Sequence, residues 1–260
     1  MVGRYIHPLY HDEIEERMKI PCALASAQMK CMVWGYDAIN FNHKHHTFNS
    51  TPVLHLLVSD SDIQLCAEAI VAELPKFQSD RGFRIFPHLP ISTDTTWDEP
   101  LAFPHSVGLK FQGKRGRIPE VVLLHPQSQF YMDIQDYSRS FALRHFPDNI
   151  RIPTLAAFLD SLIEVHSDPP TGYDNKDLGR LLVDWEFDLF EGALGRGSQL
   201  LPNGRLRPAC FHIKQSLKVE NRPYFEAMAR GGRSAPLLDT RLHRRSLLCV
   251  YFSASLGKVD

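Results

Sequence analysis

Between Ile63 and Leu74 the apolar residues Ile63, Leu65, Cys66, Ala69, Ile70 and Leu74 recur at helical intervals, which predicts a helix with one buried stripe. The stretch before it has another rhythm. Val53 to Val58 is an unbroken, β-rich apolar run closed by Ser59-Asp60-Ser61-Asp62, the pattern of a strand ending in a turn, with Asp60 or Ser61 as a helix cap. Lys30 to Trp34 predicts a shorter strand. Gly35 follows, where a missing Cβ permits a tight turn, and Tyr36 to Phe41 begins a helix. Val107 to Phe111 and Glu120 to Leu124 flank the basic turn Gln112 to Arg117 and are candidates for a hairpin.

The remaining pattern is mostly helical. His11 to Lys19 reads as a short acidic helix stopped by Pro21, with a further helical turn at Ala23 to Met29. Thr154 to Val165, capped by Thr154, and Lys176 to Leu194 predict two long helices; Phe211 to Leu217 and Tyr224 to Ala229 predict shorter elements. Tyr131 to Asp133 is an edge strand or a loop, and Ser246 to Phe252 is the last strand candidate. The fold class expected is α/β or α+β: a mixed sheet with flanking helices and a helix-rich C-terminal part. The divisions expected are an N-terminal helical extension (1–20), an α/β core (21–165) and a mainly helical part packed on it (166–260).

Composition narrows the class. At 260 residues, 43% hydrophobic and with sixteen Phe, the chain is long and apolar enough for a substantial core. A net charge of -1 gives no reason to expect nucleic-acid binding. Five scattered cysteines without a C-x-x-C fit reduced thiols in a cytoplasmic or nuclear protein. The N-terminus lacks the apolar core of a secretion signal, and no run approaches the roughly 20 apolar residues of a membrane span.

Candidate chemistry concentrates between Cys31 and Asp62. His43, His45, His46 and His55 suggest a metal cluster, but no cysteine pair or H-E-x-x-H supports one, and an exposed polar turn accounts for the first three. His55 differs because it interrupts a strand and is placed to look into a cleft or to pack with a hydrogen bond. Asp60 and Asp62 form a D-x-D that suits either Mg²⁺ with a substrate phosphate or a helix N-terminus. Asp37 and Tyr36, just after Gly35, are candidates for catalytic work beside His55; Asp37 also suits a first helical turn. Lys114, Arg115 and Arg117 around two glycines can grip an anion or form a solvated turn. Arg241, Arg244 and Arg245 form a second basic group. Asp184, Glu186 and Asp188 alternate along a helix and do not share a face. No G-x-S-x-G occurs.

Val33-Trp34-Gly35, Ala38 and Thr51 to Val58 together resemble the nucleotidyltransferase-fold proteins related to minimal nucleotidyltransferases and AbiEii-type toxins, especially poorly characterised fungal members. Ile152-Pro153-Thr154-Leu155 resembles their segment after the central sheet. The resemblance implies a nucleotidyltransferase-like core over 21–165. In active members two acids on the later strand bind divalent metal; the matching positions here are Val53 and His55. It therefore implies a divergent site and a pseudoenzyme candidate. Such a protein would bind a nucleotide, a phosphorylated small molecule or a partner protein, with Gly35, Lys114, Arg115 and Arg117 as ligand contacts. One alternative is an active Mg²⁺-dependent transferase using Asp37, Asp60 or Asp62, with His55 as proton acceptor and Mg²⁺ carried in with a nucleotide. The other is a small-molecule enzyme built on His55, Tyr36 and Asp37.

Overall fold

The computed structural model describes residues 11–42, 51–80, 103, 105–113, 118–170, 176–194 and 199–230. Seven strands form one mixed sheet: β1 (Cys31–Trp34), β2 (Val53–Val58), β3 (Phe77–Asp80), β4 (Val107–Phe111), β5 (Val121–Pro126), β6 (Ser140–Ala142) and β7 (Ile150–Pro153), in the spatial order β3-β4-β5-β2-β1-β7-β6. Helices α1 (His11–Ser26) and α3 (Ile63–Glu73) pack together and against the sheet. Helices α2 (Gly35–Asn42) and α4 (Leu155–Ser167) also lie on the sheet, and α5 (Lys176–Leu194) packs on both of them. Helices α6 (Pro208–Ser216) and α7 (Arg222–Ala229) pack against each other, and α6 also meets α4. The architecture is mixed α/β, with a helix-rich C-terminal region.

The centre of the sheet explains the two densest apolar runs. β2 pairs antiparallel with β1 and parallel with β5. All six residues of β2 and all six of β5 are buried, as expected for strands covered on both faces. Leu54, Leu56 and Val58 thus have no solvent-facing counterpart set; Val53, His55 and Leu57 are equally enclosed. The hairpin across the basic turn forms, with Val107 opposite Leu124 and Lys110 opposite Val121.

Several elements differ from the pattern-based expectation. α1 runs through Pro21 to Ser26 instead of stopping. Pro21 has no N–H to give the Arg17 carbonyl, at a typical cost of roughly 3 kcal/mol. Burial of Met18, Ile20, Leu24 and Ala25 in the core offsets it. β3, β6 and β7 have weak patterns of their own and are placed by their neighbours: Gln78 pairs with Lys110, Phe141 with Ile152, and Cys31 with Ile150. Tyr131 to Asp133 is not a strand; Tyr131 ends a short 3-10 turn in the left-handed region at φ 49°. The Ser246–Phe252 segment lies outside the described residues.

A charged network fastens the C-terminal region to α4. Asp160 is buried and takes Arg139 Nη2 at 2.5 Å, the Lys218 backbone N–H at 3.1 Å and Asn221 Nδ2 at 2.8 Å. Lys218 Nζ donates to Glu164 at 2.7 Å. A buried carboxylate is tolerated when its lone pairs are filled by charged and amide donors in this way.

Candidate functional site

β1 ends at Trp34 and α2 begins at once with Gly35, whose φ is +61°. Two constraints select glycine there. The left-handed backbone disfavours a side chain, and a Cβ would lie 3.0 Å from His55 Cδ2 and 3.1 Å from Trp185 Cζ2. Trp34 stands opposite His55 in the β1–β2 register. The turn therefore presses the start of α2 onto the imidazole of His55, and Trp185 of α5 closes over it, the two rings edge-on with centroids 5.0 Å apart.

His55 is buried and is not alone. Its Nδ1 lies 3.0 Å from Nε2 of His125 on β5, and the rings stack with an interplanar angle of 10°. His125 Nδ1 in turn pairs with Ser106 Oγ at 2.7 Å, just before β4. Three polar side chains from three elements thus form one continuous hydrogen-bonded chain. Phe103 lies edge-on to both histidines, and Phe130 meets His125. Burial, helped by the Arg17 charge, pushes His55 down to about 3. Burial and the neighbouring His55 hold His125 well below the ordinary imidazole value. Both rings are consequently neutral near pH 7, so each hydrogen bond along the chain has one donor and one acceptor.

Asp37 is committed elsewhere. Arg17 Nε and Nη2 donate to its two carboxylate oxygens, both at 2.6 Å, and the pair is buried. The same guanidinium donates to the carbonyls of Thr51 at 2.7 Å and Val53 at 3.0 Å. The fork-to-fork geometry suits a carboxylate that anchors α2 to α1 and to the entry of β2. Tyr36 is half-buried, edge-on to Trp185 at 6.2 Å. Burial, with Asp188 and Asp184 nearby, raises its phenol above the usual range, so it remains protonated.

The D-x-D pair lies at the far end of β2. Asp60 is exposed and accepts the Ser128 N–H at 3.1 Å, linking the end of β2 to the turn after β5. Asp62 occupies the position before α3 but makes no side-chain cap; it accepts the Ser61 hydroxyl at 2.8 Å. Lys114, Arg115 and Arg117, like His43, His45, His46 and Arg241 to Arg245, lie outside the described residues. On α5, Glu186 is buried against Tyr224, whose hydroxyl donates to it at 3.0 Å. Burial raises Glu186 to about 8, with the Tyr224 bond opposing. A separate apolar cavity of about 220 Å³ lies between α1, the α3–β3 corner and β4, walled by Ile20, Leu74, Phe77, Phe111 and Ile118.

Of the residues singled out in sequence, Gly35 and His55 are brought together, and Tyr36 meets the same Trp185; Asp37, Asp60 and Asp62 are held by other partners. Sequence reading missed His125, Ser106, Trp185 and the Arg17 clamp. One signal pointed to His125: VLHLLV and VVLLHP are twin apolar strands, each interrupted by a single histidine.

Mg²⁺ is a hard cation that takes oxygen ligands, usually carboxylates plus phosphates and water. The centre of this site offers Val53 and two neutral imidazoles, and Asp37, at the start of α2, has both carboxylate oxygens on Arg17. This donor set does not fit Mg²⁺. Among the described residues no group of three or more His, Cys, Asp or Glu is placed to hold a metal ion, and no helix is long and apolar enough to cross a membrane.

The sheet and the histidine chain define a mixed α/β protein with a neutral polar centre enclosed by aromatic rings. No family model matches the sequence, and no curated protein matches it.

Proposed function

We propose that this chain is a divergent nucleotidyltransferase-like protein that binds a nucleotide or another phosphorylated small molecule without two-metal transfer chemistry. The observation that carries the reading is His55, which stands at the strand position where the resemblance implies a metal-binding acid and pairs instead with His125 of β5 at 3.0 Å. Replacing an acid by a neutral imidazole removes the charge that metal and phosphate chemistry needs, while leaving donors and aromatic faces for recognition. The direct step from β1 through Gly35 into α2, followed by an antiparallel β2, supports the likeness in outline.

Calorimetric titration with ATP, GTP, CTP and UTP, with and without Mg²⁺, tests it, alongside a radiolabelled nucleotide-transfer assay. Binding with a dissociation constant unaffected by Mg²⁺, and no transfer, is the expected result. Mg²⁺-dependent label transfer would overturn the reading in favour of an active transferase. Absence of binding to all four nucleotides and to sugar phosphates would remove the ligand class.

A further inference from the structure

The apolar cavity at the α3–β3 corner is built by local chemistry. Glu73 closes α3, and Leu74 to Phe77 form a tight turn with Pro75 in its second position. In that turn the Phe77 N–H donates to the Leu74 carbonyl at 2.9 Å. The Lys76 carbonyl accepts the Gln112 N–H at 2.8 Å, which ties the corner to the end of β4. Phe77 and Phe111 stand opposite each other in the β3–β4 register, with ring centroids 5.2 Å apart. Gly113 leaves room for the Phe111 ring, since a Cβ there would collide with it. Turn and register together fix the walls of a cavity of about 220 Å³.

The cavity has two zones. Its walls are Ile20, Leu74, Pro75, Phe77, Phe111 and Ile118, while its rim carries Glu16, Lys19, Glu73 and Lys76. Glu16 and Lys19 neutralise each other in an ion pair at 2.5 Å. Glu73 and Lys76 are exposed, do not reach each other, and have no ion-pair partner among the described residues. Glu73 also ends α3 at the negative pole of the helix dipole, where no basic residue stands in the last turn. An acid in that position favours a cation beside it.

We infer that this cavity binds a free α-amino acid with a large apolar side chain, of phenylalanine or tryptophan size. The side chain fills the cavity, the α-ammonium meets Glu73, and the α-carboxylate meets Lys76. An apolar cavity of about 150 Å³ takes benzene, so 220 Å³ admits a phenyl or an indole ring. The apolar walls would strip water from a charged or hydroxylated side chain without replacing its hydrogen bonds. The rim balances two acids with two bases, which matches a ligand of no net charge. A simple carboxylate would leave Glu73 unmatched, and a simple amine would leave Lys76 unmatched. Burial of the ring supplies the affinity, and the solvent-exposed rim charges supply selectivity. No residue of the histidine chain lines this cavity, so the inference is independent of nucleotide binding.

Calorimetry of the wild-type chain with L-phenylalanine, 3-phenylpropionate and 2-phenylethylamine tests it, with methyl spectra of the isotope-labelled chain locating the probe. Expected is one L-phenylalanine per chain, with ring-current shifts at the Ile20, Leu74 and Ile118 methyls. Each singly charged analogue should bind about fivefold more weakly. Lys76→Gln should weaken L-phenylalanine by a similar factor, and Glu73→Gln should narrow the gap between L-phenylalanine and 3-phenylpropionate. Ile118→Trp, which fills the cavity, should abolish binding in the folded chain. No binding at millimolar probe, equal binding of the three probes, or undiminished L-phenylalanine binding in both rim variants overturns the inference. The rim variants change exposed side chains, so their outcome does not depend on whether Ile118→Trp folds.

Discussion

Arg17 and Asp37 form a buried two-bonded ion pair that spans α1 and α2, with both N···O distances at 2.6 Å. The guanidinium also fixes the carbonyls of Thr51 and Val53, so one side chain joins α1, α2 and the start of β2. Removing one partner strands the other charge. Arg17→Met and Asp37→Leu should each destabilise by roughly 3–5 kcal/mol. The double variant should cost clearly less than the sum, and a double-mutant cycle in urea measures the difference. Strictly additive losses would mean the pair is not coupled.

Gly35 is held by both its backbone and its neighbours. Gly35→Ala places a methyl group 3.0 Å from His55 and 3.1 Å from Trp185 on a backbone at φ +61°. A loss of about 1–3 kcal/mol is expected from the left-handed conformation alone. Thermal unfolding checks it, and a Tm equal to that of wild type would contradict the close approach.

Three buried groups predict a stability maximum near pH 6.5. Between about pH 4.5 and 6.5 the unfolded chain binds protons on His55 and His125 that the folded chain refuses. Folded Glu186 meanwhile keeps a proton that the unfolded chain releases. Over these three groups the unfolded state holds a net excess of one proton, so their combined contribution to stability rises with pH by about 1.4 kcal/mol per unit. From pH 6.5 to about 8 Glu186 is the one of these three groups that still differs between the states, the sign of their combined contribution reverses, and stability falls. Urea midpoints at pH 5, 6.5 and 8 measure this. Glu186→Gln should abolish the decline above pH 6.5, and an unchanged decline in that variant would assign it to other groups.

Asp160 gathers three donors from two segments, and Asp160→Asn removes the charge and one of the two acceptor oxygens that Arg139 and the Lys218–Asn221 turn share. The expected loss is on the order of 3 kcal/mol. Because the Val219–Asn221 turn hangs on this carboxylate, hydrogen exchange should quicken there before it does in β2 or β5.

The central elements were legible because their patterns are autonomous. Val53–Val58 and Ile63–Leu74 carry the apolar periods of a doubly covered strand and a one-sided helix, and α4 and α5 likewise declare themselves. β3, with the sequence FQSD, and β6, with SFA, have too few apolar residues to show a period; partners impose their pairing. Pro21 misled because local chemistry argued for a stop while burial on both sides argued for continuation. At the site, His55 stood out by interrupting a strand. Its partner His125 sits 70 residues away and is aligned only by the parallel β2–β5 pairing, which no local pattern encodes. Asp37 looked chemically available because its partner, Arg17, lies on a helix 20 residues earlier.

The strand order also shapes how the chain comes into being. β1 is flanked by β2, which follows it closely, and by β7, which lies far downstream. At ~5–20 residues per second of synthesis, β7 leaves the ribosome on the order of ten seconds after β1. Through that interval one side of β1, with its wholly apolar sequence CMVW, has no neighbour to complete its hydrogen bonds. A nascent chain of this protein is therefore a natural client for holding factors, and its yield should depend on how quickly translation reaches Ile150.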